Sequence, residues 1–315
     1  MGKQVYVGID VGGSNITVSL ANIDTLHIEK TFQFETKSYV SLAEPLEPVM
    51  KYIKLINATV KACCVGAAGP LLSQDVINLT NAHFVVSKKE LRETLLTTQV
   101  TLVNDFMLLG YALLSEKSVF KELTPHKDPR EGAKVIIGAG TGLGKCLVTH
   151  SIENDCSVVI PSEGGNCDYN AKSDLDREII TFIMKETGHN TVSYEDILSG
   201  NGMRLLHEFF EGNRVEQEQI FLSSSKTLKY FAHVLGQFAK NSALNTVSIG
   251  GVYFAGGILI NHPEIFEQEE FKKSFIASNR HLDLLSLIPL FLLEDYTTSA
   301  FGACYAASLL VKKNE

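Results

Sequence analysis

The segments YVGIDVGGSNITVSL (Tyr6–Leu20) and KVIIGAGTGLGKCLVTHS (Lys134–Ser151) share one form, strand, glycine-rich turn, strand, placed far apart in a chain of 315 residues. Branched apolar residues flanking each turn favour a pleated, paired backbone, and the glycines allow the positive φ that tight hairpin turns need. A lone hairpin cannot bury its own faces, so each must join a larger sheet. The chain is also longer than one core usually requires. The repeated form therefore predicts two α/β units, each opened by a hairpin.

After the first hairpin, KTFQFET alternates Phe32 and Phe34 with Thr31, Gln33 and Glu35, the period of a third antiparallel strand with one buried face. PVMKYIKLIN has helical spacing of Val49, Ile53 and Ile56, with Pro48 expected in the first turn. KACCVGAAGPL reads as a fully buried strand, SKKELRETLL as a helix opened by a Ser87–Glu90 capping box, and VTLVND as a further strand. Strand, helix, strand implies a parallel crossover, so three hairpin strands and at least two parallel strands share the first sheet. Helical patterns dominate the second half in SDLDREIITFIMKETG, SYEDILSGNGMRLLHEFFEG and SSSKTLKYFAHVLGQFAKNSALN. GVYFAGGILI gives strand, glycine turn, helix, and TTSAFGACYAASLL is an apolar helix expected to pack back on the first unit.

Hydrophobic residues at 45% and charged residues at 20% suit a globular chain. With 28 basic against 36 acidic side chains and a formal charge of -8, no dense basic run offers itself to a row of phosphates, and nucleic acid is a poor partner. The chain opens on a strand pattern instead of a secretory leader, and its longest apolar run, LLSLIPLFLL, is too short to span a bilayer. A soluble, cytoplasmic protein with no membrane partner is expected. The six cysteines lack a paired C-x-x-C spacing and read as reduced core residues.

Asp10 stands at the mouth of the first turn, before Gly12, Gly13, Ser14 and Asn15. Glycine, serine and asparagine alone describe a hairpin turn. The same glycines can bare consecutive N–H groups toward a polyphosphate, with the Ser14 hydroxyl as a further donor. A carboxylate there repels phosphate unless a divalent cation intervenes. Mg2+ suits that place, because it binds through few carboxylates, waters and phosphate oxygens, so Asp10 is the candidate metal ligand, directly or through water.

The second turn, IGAGTGLGK, holds Gly138, Gly140, Thr141, Gly142 and Gly144, more glycine than a hairpin needs. A Walker P-loop ending at Lys145 fails, with Ala139 in its first glycine position and Cys146 in its hydroxyl position. A dinucleotide fingerprint fails at Leu143 and lacks the helix that should follow. A second backbone cradle is left. Asn104 and Asp105 close the strand VTLVND, where parallel sheets bind ligands; Asp105 is either the cap of the next helix or a general base. SEGGNCDY and TVSYEDILSG supply Glu163, Asn166, Asp168 and Glu195, read either as a polar loop and a Ser193–Asp196 helix cap or as groups converging on sugar hydroxyls, with Asn81 added from TNAHF. Gly256 and Gly257 make a tight turn that also permits close approach of an adenine or ribose.

GIDVGGSN, LVNDF, IGAGTGLG, SEGGNCDY, TVSYEDILSG and GVYFAGGI follow the order and approximate spacing of the bacterial-type glucokinases, which the chain resembles from Val7 through the C-terminal helix. These are ATP-dependent hexose kinases of the actin-like ATPase superfold. The resemblance implies an α/β chain of two ribonuclease-H-like domains with mixed sheets flanking a deep cleft, a smaller one of residues 1–107 with 298–315 and a larger one of 108–297. It implies that Asp10, Gly12, Gly13 and Ser14 match the first phosphate motif, Gly138, Gly140, Thr141, Gly142 and Gly144 the second, and Gly256 and Gly257 the adenosine motif. Asn104 and Asp105 match the sugar-binding pair whose acid is the catalytic base, and Glu163 and Glu195 match carboxylates that hold sugar hydroxyls. ATP and Mg2+ as cofactors, glucose as substrate and a homodimer follow from the same likeness. Asn166 stands where the family's E-G-G-H-x-D pattern has histidine, which leaves another hexose or an amino sugar as the alternative acceptor. A non-catalytic, nucleotide-gated sugar sensor is the farther alternative. The cysteine-rich zinc motif of the related repressor and open-reading-frame kinase family is missing, so no structural zinc is expected.

Overall fold

The computed structural model describes residues 2–69, 73, 75–79, 84–115, 120–124, 131–153, 155–223, 225–293 and 297–312. The chain divides into two units, Met1–Ser118 with Asp295–Glu315, and Val119–Glu294.

In the first unit the strands are β1 (Lys3–Val11), β2 (Asn15–Asn22), β3 (Ile28–Glu35), β4 (Ala58–Ala67), β5 (Val76–Asn78), β6 (Val85–Ser87) and β7 (Val100–Asn104). β5 and β6 form a small separate hairpin, and the others make a five-stranded sheet in the order β3-β2-β1-β4-β7. β1, β2 and β3 are antiparallel neighbours, while β4 runs parallel to both β1 and β7, the expected combination. Side chains alternate along a strand, so Val5, Val7, Ile9 and Val11 share one face of β1 and Tyr6, Gly8 and Asp10 the other. The first face packs with Leu46, Val49 and Ile53 of the helix Ala43–Leu55 and with Leu91 and Leu95 of the helix Lys88–Leu95. Against the second lies the C-terminal helix Thr298–Lys312, so close that a Cβ on Gly8 would fall 2.6 Å from the Cys304 amide nitrogen. The closing helix thus packs on the first unit, as its sequence suggested.

Two local expectations fail for identifiable reasons. Pro48 lies inside the helix Ala43–Leu55, not in its first turn. Burial of Leu46, Val49 and Ile53 on one helical face outweighs the single backbone bond that an interior proline forfeits. Ser87 precedes the helix Lys88–Leu95 but makes no side-chain capping bond. It is the last residue of β6, paired with Val76, and that extended pairing sets its backbone.

The second unit contains β8 (Phe120–Glu122), β9 (Lys134–Ala139), β10 (Leu143–Ser151), β11 (Cys156–Ser162), β12 (Val252–Ala255) and β13 (Leu290–Leu293), in the sheet order β11-β10-β9-β12-β13-β8. The sequence β11-β10-β9-β12 repeats β3-β2-β1-β4 with the same directions of pairing. Helices Asp174–Thr187, Gly200–Glu211, Ser225–Thr246 and Glu269–Ile276 enclose a core with Val135, Ile137 and Phe254. Phe254 and Phe266 meet Phe271 edge to face, with ring centroids 5.7 and 5.2 Å from it. The segment SYEDILSGNGMRLLHEFFEG forms two helices, Glu195–Leu198 and Gly200–Glu211, because Ser199 is extended between them and caps the second through Gly202 N–H.

Cys63, Cys64, Cys146 and Cys304 are buried, but Cys156 and Cys167 are exposed, contrary to the core reading. Cys156 begins the edge strand β11, and Cys167 belongs to a polar loop. Among the described residues, no helix is long and apolar enough to cross a membrane.

Candidate active site

In the first unit, three parallel strands end together: Val11 pairs with Ala67, and Ala67 with Asn104. The first glycine turn and Asp105 therefore emerge from the same edge of the sheet, about 10 Å apart at about 4.8 Å per strand. The turn closes through Gly12 N–H donating to the Asn15 carbonyl at 2.9 Å, and Thr36 reaches across from the end of β3 to hold it. Asp10 is half-buried and accepts a 2.7 Å hydrogen bond from the Ser299 hydroxyl of the C-terminal helix. Loss of solvation pushes the Asp10 carboxyl above its ordinary range, against the opposing pull of Ser299. A carboxylate so placed gains most from a bound cation.

Asn104 is the helix cap. Its side chain accepts from Phe106 N–H at 3.0 Å, and its backbone is extended, with φ −64° and ψ 146°. Asp105 is the first residue of the helix Asp105–Leu113, half-buried, with one carboxylate oxygen 2.9 Å from the same N–H. The capping alternative for Asp105 thus passes to its neighbour. Asn81 lies outside the described residues.

In the second unit the glycines separate into two groups. Gly138 and Gly144 sit opposite each other in the β9–β10 ladder, while Gly140, Thr141 and Gly142 form the tip. Gly140 N–H donates to Gly142 O at 2.9 Å, and Gly140 O accepts from Gly200 N–H at 2.8 Å, a contact permitted by the helix break at Ser199. β12 runs parallel to β9, with Ala255 beside Gly138, so the Gly256–Gly257 turn leaves the sheet next to this tip. Gly256 has φ +90°, and a side chain there would strike the Ala139 backbone. Only glycine suits that backbone.

The carboxylate of Glu195 accepts from Leu143 N–H at 2.9 Å and lies 2.9 Å from where a Cβ on Gly142 would stand. It is tied directly to the glycine turn. The loop after β11 folds back on Asn166 N–H donating to Glu163 O at 3.0 Å, and exposes the side chains of Glu163, Asn166 and Asp168. Asp168 bridges Ser193, and Tyr194 N–H donates to Cys167 O at 3.0 Å, which brings this loop alongside Glu195. Ser193 and Asp196 cap each other as expected, at 2.8 and 3.2 Å. Glu163, Asn166, Glu195 and the two glycine turns therefore share one end of the second sheet.

The sequence reading missed three neighbours of these groups: Thr36, Ser299 and Lys145. Lys145 is buried under the loop, with its ammonium 5.9 Å from the Phe238 ring and, among the described residues, without a carboxylate or hydrogen-bond partner. Burial pushes its pKa down, partly opposed by Cys167. A lysine within an apolar segment directly after a glycine turn was the available signal.

Three kinds of similarity bear on this arrangement. A glucokinase of Erwinia tasmaniensis is 32% identical over 317 residues, covering 94% of each chain. A glucokinase from Balamuthia mandrillaris, solved in complex with glucose, superposes with a TM-score of 0.80 at 21% identity, covering 97% of this chain and 94% of that one. A ROK family glucokinase from Streptomyces griseus, solved with glucose and AMPPNP, gives 0.59 at 14% identity, covering 97% and 99%. The family model described as Glucokinase matches residues 7–309, and the chain, with two units of actin-like ATPase fold, belongs to the glucokinase family.

Proposed function

We propose that this chain is an ATP-dependent glucokinase that transfers the γ-phosphate of ATP to the C6 hydroxyl of glucose, giving glucose 6-phosphate and ADP. The placement of Asp105 carries this reading: a half-buried carboxylate at the tip of a parallel strand, in a helix capped by another residue. As general base it takes the hydroxyl proton while the C6 oxygen attacks the γ-phosphorus in line, and the bond to the ADP oxygen breaks. Transfer of this kind asks a protein chiefly for positioning and charge neutralisation.

Asn81, Asn104, Glu163, Asn166 and Glu195 are the proposed sugar ligands, their carboxylates and amides being matched to hydroxyls that both donate and accept. Gly12, Gly13, Ser14 and Asn15 are assigned to the nucleotide phosphates, as are Gly138, Gly140, Thr141, Gly142 and Gly144. Gly256 and Gly257 are assigned to the adenosine. Asp10 fits Mg2+, since its carboxylate is desolvated and its partner among the described residues, the Ser299 hydroxyl, is neutral. The bound ion would supply the positive charge that the phosphates require. A cytoplasmic homodimer completes the proposal, resting on family likeness.

Asn166 favours a second reading, a different hexose or an amino sugar as acceptor, because its amide is exposed beside Glu163. A sugar panel with Mg-ATP distinguishes the two, comparing the wild type with Asn166→His and Asp105→Asn. Glucose should stimulate ADP release most strongly, and Asp105→Asn should lose about 10²–10⁴-fold in turnover while still binding sugar. Turnover unchanged in Asp105→Asn, or ADP release indifferent to every sugar, would refute the kinase assignment.

A further inference from the structure

We propose that Thr36 is a positioning residue of the nucleotide site, which orients the peptide planes of the first glycine turn so that their N–H groups face the phosphates. The inference rests on the reading of that turn as a phosphate cradle. Thr36 follows the last residue of β3, where Glu35 pairs with Asn15, and it is only 2% exposed. Two of its groups grip the turn. The hydroxyl donates to Gly12 O at 2.8 Å, and the amide N–H donates to Ser14 O at 2.9 Å.

The geometry of the peptide gives these bonds a consequence. In a planar trans peptide, the carbonyl of one residue and the N–H of the next point in opposite directions. With the carbonyls of Gly12 and Ser14 drawn toward Thr36, the N–H groups of Gly13 and Asn15 point away from it. Both N–H groups are thereby left on the side of the turn facing away from Thr36, where the backbone N–H groups of a turn can receive an anion. Glycine at 12 and 13 makes the turn permissive, so its peptides can rotate unless something holds them. Thr36 supplies the hold from the position directly after a paired strand, and its β-branched side chain is stiff about χ1. Gly12 N–H donating to Asn15 O pins the base of the turn but fixes neither of those two carbonyls.

Thr36→Val keeps the shape and the amide while deleting the hydroxyl, and Thr36→Ser keeps the hydroxyl. Loss of one hydrogen bond of about 1–1.5 kcal/mol should weaken Mg-ADP binding, read by fluorescent-nucleotide titration, by about 5–10-fold, with a similar rise in KM for ATP. The KM for the sugar should stay within twofold, and Thr36→Ser should bind nucleotide as the wild type does. The proposal is overturned if Thr36→Val binds Mg-ADP normally, if the sugar KM rises in step with that for ATP, or if Thr36→Ser is as impaired as Thr36→Val. Should Thr36→Val not fold, Thr36→Cys against Thr36→Ser makes the same comparison. Nucleotide titration needs no sugar, so a wild type that binds Mg-ADP without phosphorylating any sugar would sink the kinase reading alone, and one that binds no nucleotide would sink both.

Discussion

Asp10→Asn should make the ligand-free protein more stable while removing its response to Mg-nucleotide. Asp10 is desolvated and, among the described residues, receives a hydrogen bond from Ser299 at 2.7 Å. A bond to a charged acceptor contributes about 1.5–3 kcal/mol and one to a neutral acceptor about 1, so the amide forfeits about 1 kcal/mol of bonding. Against this, an uncompensated buried ion costs several kcal/mol, reduced here to about 2–3 because Asp10 keeps partial contact with water. The difference favours the amide by about 1–2 kcal/mol, or about 2–8 °C in thermal midpoint at about 2–4 °C per kcal/mol. The pH dependence has a definite sign. Because the folded carboxyl titrates above its ordinary 3.8, the unfolded chain releases the proton first, and the wild type loses stability as pH rises through that window. The advantage of Asp10→Asn should therefore grow as pH rises above 3.8 and shrink as pH falls toward it. Mg-ADP at 100 times its Kd should stabilise the wild type by about 2.7 kcal/mol and the variant by far less. Scanning calorimetry with and without Mg-ADP measures both effects. A variant that melts below the wild type, or gains as much from Mg-ADP, would refute the reasoning.

Glu195→Gln replaces a charge-assisted bond to Leu143 N–H by a neutral one, and should raise the sugar KM by about tenfold, for about 1–1.5 kcal/mol, with a smaller rise in the ATP KM because the glycine turn is loosened as well. Steady-state kinetics in both substrates tests this, and an unchanged sugar KM would count against Glu195 as a ligand. Lys145→Met should stabilise the protein by about 1 kcal/mol, since a largely buried lysine whose ammonium keeps some solvent and has no counter-charge among the described residues gives way to an apolar chain of similar length. The lowered pKa of Lys145 means that the unfolded chain holds more protons just below pH 10.5, so wild-type stability should gain from this group as pH rises there. Urea midpoints across that range should show the gain in the wild type and not in Lys145→Met.

Much of the fold was legible because its signals are local. Phe32 and Phe34 announce β3 by alternation, and the glycine turns announce both hairpins. The sheet order follows from the hairpin and crossover rules. Pro48 and Ser87 were misplaced because tertiary packing and β-pairing overrode helix-end preferences. Within the candidate site, Asp10, Asp105 and the glycines stood out in the sequence as chemistry beyond their local structural needs, and their roles remain proposals. Ser299 and Thr36 were not, since a serine in an apolar helix and a threonine after a strand carry no local mark of the partners they meet. Their roles appear only when β1 and β3 are set against distant parts of the chain.

The C-terminal helix has a consequence for biosynthesis. Asp10 and Ser299 are 289 residues apart, about 15–60 s of translation at about 5–20 residues per second. Throughout that interval the face of β1 bearing Gly8 awaits Ala303 and Cys304, so the first unit's sheet is sealed only after the second unit has been synthesised. A nascent chain halted before the final helix should leave this sheet adhesive toward chaperones. The Asp10 carboxylate would also lack the Ser299 hydroxyl that donates to it.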